Sequence, residues 1–454
     1  MSNVVQIDTR QDRESPESIF ERSKAREVGL SRMLVAYIAT GLAFMLLPGT
    51  FLGVWNLISL TNHHAAQSIS PSWIQAHGHA QIFGWIGTFI LGIGFHSIPT
   101  VRRTFSLYAG WLCFAMWTGG VLLRWFVNVY EWHWRTLLPA SAFLELAAFL
   151  IFFRAVSSHE AKDSGKSKLD GWVWIVIAAT FGFLFALLMN AGVAIYLARF
   201  SASPAIPQSI DAGFLVLCTS GFLVPFVWGF STKWLPVFLG LRRPSIALLA
   251  TAVAINFAGV AAALVGHFEI STLLTFHAAI FAIIALRLFH RPAAKAKTSG
   301  VHVSFPVFVR SAYAWLLIAG LLAIWASRVQ NAAGIWGASR HALTVGFLGI
   351  MVFSIGQRVL PAFSGMRLLF STKLMFLALL TLTLGCALRV SSEVLAYQNY
   401  AQWAWKTLPV SAVLELIAVS LFAFNLICTF LSRPAHLLQE SSSSAAAPLI
   451  RKES

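Results

Sequence analysis

Charge is what this sequence has least of. Only 11% of its 454 residues are Asp, Glu, Lys or Arg, where a soluble domain carries about 25%. That excludes an ordinary water-soluble globule. Acidic residues are scarcer still, 17 against 33 Lys and Arg. The chain holds just four cysteines, Cys113, Cys218, Cys386 and Cys428, all inside apolar runs. None stands in a C-x-x-C or C-x-x-C-H arrangement, which excludes covalent c-type haem, zinc ribbons and a disulfide framework. The amino terminus has no small-residue cleavage site after its first apolar run, so it reads as a cytoplasmic tail and not as a cleaved signal peptide.

Hydrophobic residues fill the space that charge leaves. They make up 57% of the chain, with 37 Phe and 17 Trp suited to lipid-facing surfaces and interfacial belts. Twelve apolar segments, at roughly 32–58, 73–99, 106–128, 138–154, 172–197, 212–236, 246–266, 271–290, 309–328, 338–361, 372–390 and 408–431, are each long enough to span a bilayer. The expected fold is an all-α membrane protein of about twelve transmembrane helices. Residues 1–31 form an N-terminal tail, in which Glu17 to Arg32 suits a short surface helix, and residues 432–454 form a Ser/Ala-rich disordered tail.

Basic residues set the orientation. Of the 33 Lys and Arg, 26 fall in the two tails and in alternate loops. The other seven, Arg124, Arg135, Arg199, Arg328, Arg340, Arg389 and Lys406, fall on the opposite side. Both termini are therefore expected in the cytoplasm. Topology accounts for the net charge of +16, and no nucleic-acid partner is needed.

One stretch repeats. His77-Gly-His79 opens an apolar, Gly-rich run to Pro99, about 30 Å of helix. His341 to Pro361 matches it without a gap: His79, Ala80, Gly84, Gly87, Ile93, Gly94 and Pro99 fall on His341, Ala342, Gly346, Gly349, Ile355, Gly356 and Pro361. A third copy runs from Val216 to Pro236, with Gly221 and the terminal Pro in register but Val216 in place of the histidine. After the two histidine helices come Arg124 then Glu145, and Arg389 then Glu415, each Glu six residues past a proline, Pro139 or Pro409. The chain thus reads as three pseudo-equivalent four-helix units, 32–154, 172–290 and 309–431.

A histidine inside a membrane helix is costly without a partner, and so marks a functional site. Two imidazoles at matched depth suit the axial ligation of one haem iron. The plain alternative is that each bonds a carbonyl while the glycines pack helices. His77 lies about 200° around the helix from His79 and is not expected to share its face. With His63 and His64 in the outer loop it forms a candidate copper site, against ordinary loop histidines. His96, His267 and His290 read as interfacial, and His277 has no evident partner. Helix hairpins are expected to bring Arg124 near Glu145 and Arg389 near Glu415 as ion pairs. Arg124, Arg389 and Arg340 are also candidates to face haem propionates.

On these residues the sequence resembles known families. Twelve helices in three arcs, with histidine on the second and tenth, is similar to the catalytic subunit of the haem–copper oxidases. There the matching histidines hold the low-spin haem. The likeness stops at the oxygen-reducing centre. That family's copper-ligating histidine on the sixth helix is Val216 here. The His-His pair on the seventh is absent, and the second haem-ligating histidine on the tenth is Ser339. The runs His341-Ala-Leu-Thr-Val-Gly, Gly349, Arg358 and His79-Ala, Phe83-Gly84 resemble the NnrS family, haem- and copper-containing membrane proteins linked to nitric-oxide metabolism. Past Arg358 that family has Gly-His-x-Gly-Arg, where this chain has Ser364-Gly-Met-Arg367 without the histidine. The resemblance implies a bacterial inner-membrane protein that binds haem b and copper. It would act in the nitric-oxide response or in respiratory electron transfer, with the bilayer, a redox partner or nitric oxide as its partners. The competing class is a cofactor-free multi-pass transporter or channel, with the histidines on a substrate or proton path.

The charge asymmetry gives a direct test of topology. Reporter fusions at residue 165 and at the carboxyl terminus should both read as cytoplasmic, and a periplasmic signal at either would break the twelve-span reading.

Overall fold

The computed structural model describes the backbone of residues 16–63, 69–97, 106–157 and 170–432, and their side chains over 21–62, 69–97, 106–155 and 170–432. Among the described residues there is no strand. Among the same residues, twelve helices are long and apolar enough to cross a membrane. They are α1 Glu21–Asn62, α2 Pro71–Ser97, α3 Leu107–Tyr130, α4 Trp134–Ala155, α5 Gly171–Phe200 and α6 Gln208–Leu239, then α7 Ile246–Leu264, α8 Phe268–Leu286, α9 Phe305–Ala326, α10 Ala333–Phe363, α11 Thr372–Tyr397 and α12 Ala404–Leu431. The surface helix expected before the first span is its continuation, because the helix runs unbroken from Pro16.

The packing has a threefold pattern. The most extensive helix contacts are the hairpins α3–α4, α7–α8 and α11–α12. Helices α1–α2, α5–α6 and α9–α10 also pack in pairs. The remaining seams, α4–α5, α8–α9 and α12–α1, close the arrangement into a ring. Helices α2, α6 and α10 occupy its middle. Their apolar windows are 67%, 61% and 61% buried, against 33–50% for the other nine.

These three central helices share a break in regularity. Each passes through a π-helical stretch: Ala80–Gly87 in α2, Leu217–Leu223 in α6 and Ala342–Gly349 in α10. The residue just before the stretch is His79, Val216 or His341. A π-stretch widens the helix and loosens its carbonyl ladder, so the freed groups need other donors. Thr88 Oγ1 donates to the Gly84 carbonyl at 2.5 Å and in turn accepts from Trp117 Nε1 at 3.0 Å. Asn256 Nδ2, from α7, donates to the Ser220 carbonyl at 2.5 Å. A fourth π-stretch, Met45–Phe51 in α1, contains Pro48, which has no N–H to give to the ladder.

Small residues let the backbones meet at these breaks. Gly182 of α5 lies so close to α6 that an added Cβ would run into the Gly221 carbonyl oxygen. Gly182→Val should therefore overpack this seam at a cost of about 1–3 kcal/mol. The measurement is the thermal unfolding midpoint in detergent, and an unchanged midpoint would refute the contact.

Candidate functional site

The repeat position at the head of each π-stretch borders one internal cavity of about 1010 Å³. Val216, His79 and His341 all line it. The volume lies at the top of the roughly 300–1,000 Å³ typical of cofactor and ligand pockets.

His79 is buried, and its Nε2 meets Glu145 Oε1 of α4 at 2.8 Å. The other carboxylate oxygen accepts from Asn190 Nδ2 of α5 at 3.2 Å. Phe83, one turn along α2, tilts against the imidazole with ring centres 4.6 Å apart. Three helices thus fix one ring.

His341 sits in a more charged setting. Its Nδ1 is 3.0 Å from Glu393 Oε2 of α11 and 2.9 Å from the Gly337 carbonyl one turn back. Arg389 Nη2 lies 3.4 Å from His341 Nε2 and 3.3 Å from Glu393 Oε1. Both histidines therefore have one ring nitrogen against a carboxylate, the arrangement that orients metal-ligating histidines.

The expected arginine–glutamate hairpin pairs do not form. Glu145 goes to His79 and Asn190. Arg389 pairs with Glu393, four residues on along the same helix face. Glu415 lines the cavity with Oε1 buried and unpartnered. Glu393 was missed in the sequence, although its i+4 spacing from Arg389 is a readable signal. Asn190 was missed because it is one polar residue in a long apolar run.

The arginines border the same space. Arg124 is only 2% exposed, yet its Nε and Nη1 have no hydrogen-bond partner. Arg389 likewise leaves Nε unpartnered, and Arg340 is exposed and lines the cavity. Glu145 and Asp211 neighbour Arg124 as negative charges, but neither hydrogen-bonds its Nε or Nη1. These guanidinium groups suit a bound anionic substituent.

His77 also lines the cavity, though its ring is directed elsewhere. Nδ1 is 2.8 Å from the Gly49 carbonyl of α1, whereas His79 reaches α4. His63 and His64 lie outside the described side chains. Among the described residues no group of three or more His, Cys, Asp or Glu stands together as a metal site. His96, read as interfacial, is buried and stacks on Phe363 at 5.2 Å. His277 is exposed and turns back to the Leu273 carbonyl of its own helix at 2.7 Å.

Of the two positions compared with the oxidases above, Val216 is apolar and Ser339 donates to the Ala319 carbonyl at 2.9 Å.

This is a multi-pass helical membrane protein with the architecture of the haem–copper oxidases. It superposes on a solved structure described as a heme-copper terminal oxidase dimer with a TM-score of 0.67 over 89% of this chain and 85% of that one, at 12% identity. The chain belongs to the NnrS protein family, which matches residues 34–434. No curated protein matches the sequence.

The missing histidines at Val216 and Ser339 have a measurable consequence. Purified protein supplied with an artificial electron donor should consume no oxygen above the background of the donor alone. Sustained uptake would mean that an oxygen-reducing centre exists without those ligands.

Proposed function

We propose that this chain is a membrane haem protein that carries one b-type haem between His79 and His341. It acts in the nitric-oxide response or in respiratory electron transfer, without a binuclear oxygen-reducing centre. The observation that carries the reading is the meeting of two repeat-matched imidazoles, each backed by a carboxylate, on one cavity of cofactor size. Arg124, Arg389 and Arg340 would hold the propionates, which accounts for the unpartnered guanidinium nitrogens. Bound there, the haem supplies a reversible one-electron centre.

The chain's own residues do the rest. Glu145 and Glu393 restrain the rings, and the glycines of the π-stretches admit side chains of neighbouring helices, Phe44 on Gly84, Trp117 on Gly87 and Trp315 on Gly346. Copper is left out of the proposal, because among the described residues no group of three or more His, Cys, Asp or Glu stands together around His77. We assign the protein to a bacterial inner membrane with both termini cytoplasmic, on the strength of the Lys/Arg asymmetry. We also take it as three four-helix units, 32–154, 172–290 and 309–431, a division supported by the three hairpins and the three π-stretches.

A rival reading makes the cavity a transport path with no cofactor. The visible spectrum of the purified protein separates the two. If both imidazoles ligate one iron, the wild type should give a six-coordinate low-spin spectrum. His79→Ala and His341→Ala should each abolish it, by haem loss or by conversion to a high-spin form. His77→Ala should not. A haem-free wild type, or a spectrum lost only in His77→Ala, overturns the reading.

A further inference from the structure

The two carboxylates at the imidazoles come from different places in the repeat. Glu145 and Glu415 are counterparts, and both pack on a counterpart glycine: an added Cβ at Gly120 would meet Glu145 Cγ at 2.8 Å, and one at Gly385 would meet Glu415 Cγ at 3.0 Å. Yet only Glu145 reaches its histidine. In the third unit the contact is made by Glu393, on α11 and not on α12. The bond to the ring is kept while the residue that makes it changes. That pattern singles out the bond, not the ancestral position, as the feature the site needs.

The two bonds engage opposite nitrogens, Nε2 of His79 and Nδ1 of His341, and so leave Nδ1 of the first ring and Nε2 of the second to ligate. A ring nitrogen that donates to a carboxylate fixes the tautomer, and leaves the other nitrogen with the lone pair that ligates a metal. The carboxylate also makes the imidazole a stronger donor to the metal. We propose that Glu145 and Glu393 are the positioning residues of the two imidazoles and, resting on the haem reading above, that they lower the reduction potential of the iron held between them.

The two are not equal. Glu393 shares its charge with Arg389 at 3.3 Å. The second partner of Glu145 is the neutral amide of Asn190. Arg124 neighbours Glu145 without forming an ion pair with it, whereas Arg389 and Arg340 both act on Glu393, so Glu145 acts more strongly on the centre. Arg389 Nη2, at a long 3.4 Å from His341 Nε2, gives up that contact when Nε2 ligates, and keeps Glu393.

The test is a redox titration of the purified full-length protein, followed through its visible haem bands. Glu145→Gln preserves the shape of the side chain and removes the charge. It should retain the low-spin spectrum and raise the midpoint potential. Glu393→Gln should raise it by less. Unmoved potentials in Glu145→Gln and Glu393→Gln with haem retained would overturn the inference. If Glu145→Gln loses haem, Glu145→Asp restores the charge and should hold it; loss from both would make Glu145 a packing residue and refute the role. A haem-free wild type removes the haem reading and this inference together, whereas a haem-bearing wild type with unmoved potentials removes this inference alone.

Discussion

Everything in the middle of this molecule follows from one bond, between His79 Nε2 and Glu145 Oε1 at 2.8 Å. A bilayer core offers no water to an imidazole or a carboxylate, so each must find its partner in the protein or be expelled. Neither is tolerable there alone. Together, with Asn190 closing the second carboxylate oxygen, they tie α2, α4 and α5 at one depth. The same requirement is met at His341, where Glu393 and Arg389 join α10 to α11. Polar side chains thus serve here as cross-links between helices, alongside the close packing of small residues.

The π-stretches belong to the same logic. Widening a helix frees carbonyls that would be costly in an apolar interior. The sequence supplies a donor near two of the central breaks: Thr88 for α2, backed by Trp117, and Asn256 for α6. Each central break starts directly after the residue that lines the cavity. Glycine at the breaks is set by close approach, most sharply where Gly182 meets the Gly221 carbonyl. Irregular backbone at membrane depth is tolerated where it is buried in protein or borders a cavity, and here it does both.

Much of this was legible from the residues and some was not. The twelve spans were, because hydropathy over about 20 residues is a one-dimensional signal. The repeat of the central helix was also readable, since His79, Gly84 and Pro99 recur at fixed spacing with His341, Gly346 and Pro361. The partners of the histidines were not. Glu145 was read against Arg124, and Glu415 against Arg389, because hairpin neighbours are the nearest candidates in sequence. Pairing inside a bundle is decided by which helix faces which, and that depends on the ring closure through α4–α5 and α12–α1. The π-stretches were invisible for a different reason. A run such as Ala80–Gly87 is equally compatible with a regular helix, and only its neighbours select the wider one.

The architecture and the chemistry also separate cleanly. At 12% identity the fold of a terminal oxidase is retained over most of the chain, yet a fold does not carry a function with it. What remains at the centre is uneven. Two of the three central helices present an imidazole at the head of their π-stretch, and the third presents Val216. The cavity wall beside it is built from Leu215, Cys218, Thr219 and Ser220, with Asn256 behind. Thr219 is turned back to the Leu215 carbonyl at 2.8 Å, and Asn256 is committed to Ser220. On that side Thr219 and Asn256 are occupied by backbone, and a centre built on them would have to break those bonds first, while the Asp211 carboxylate of α6 borders the same space. The two imidazoles lie on the α2 and α10 sides, each already held by a carboxylate.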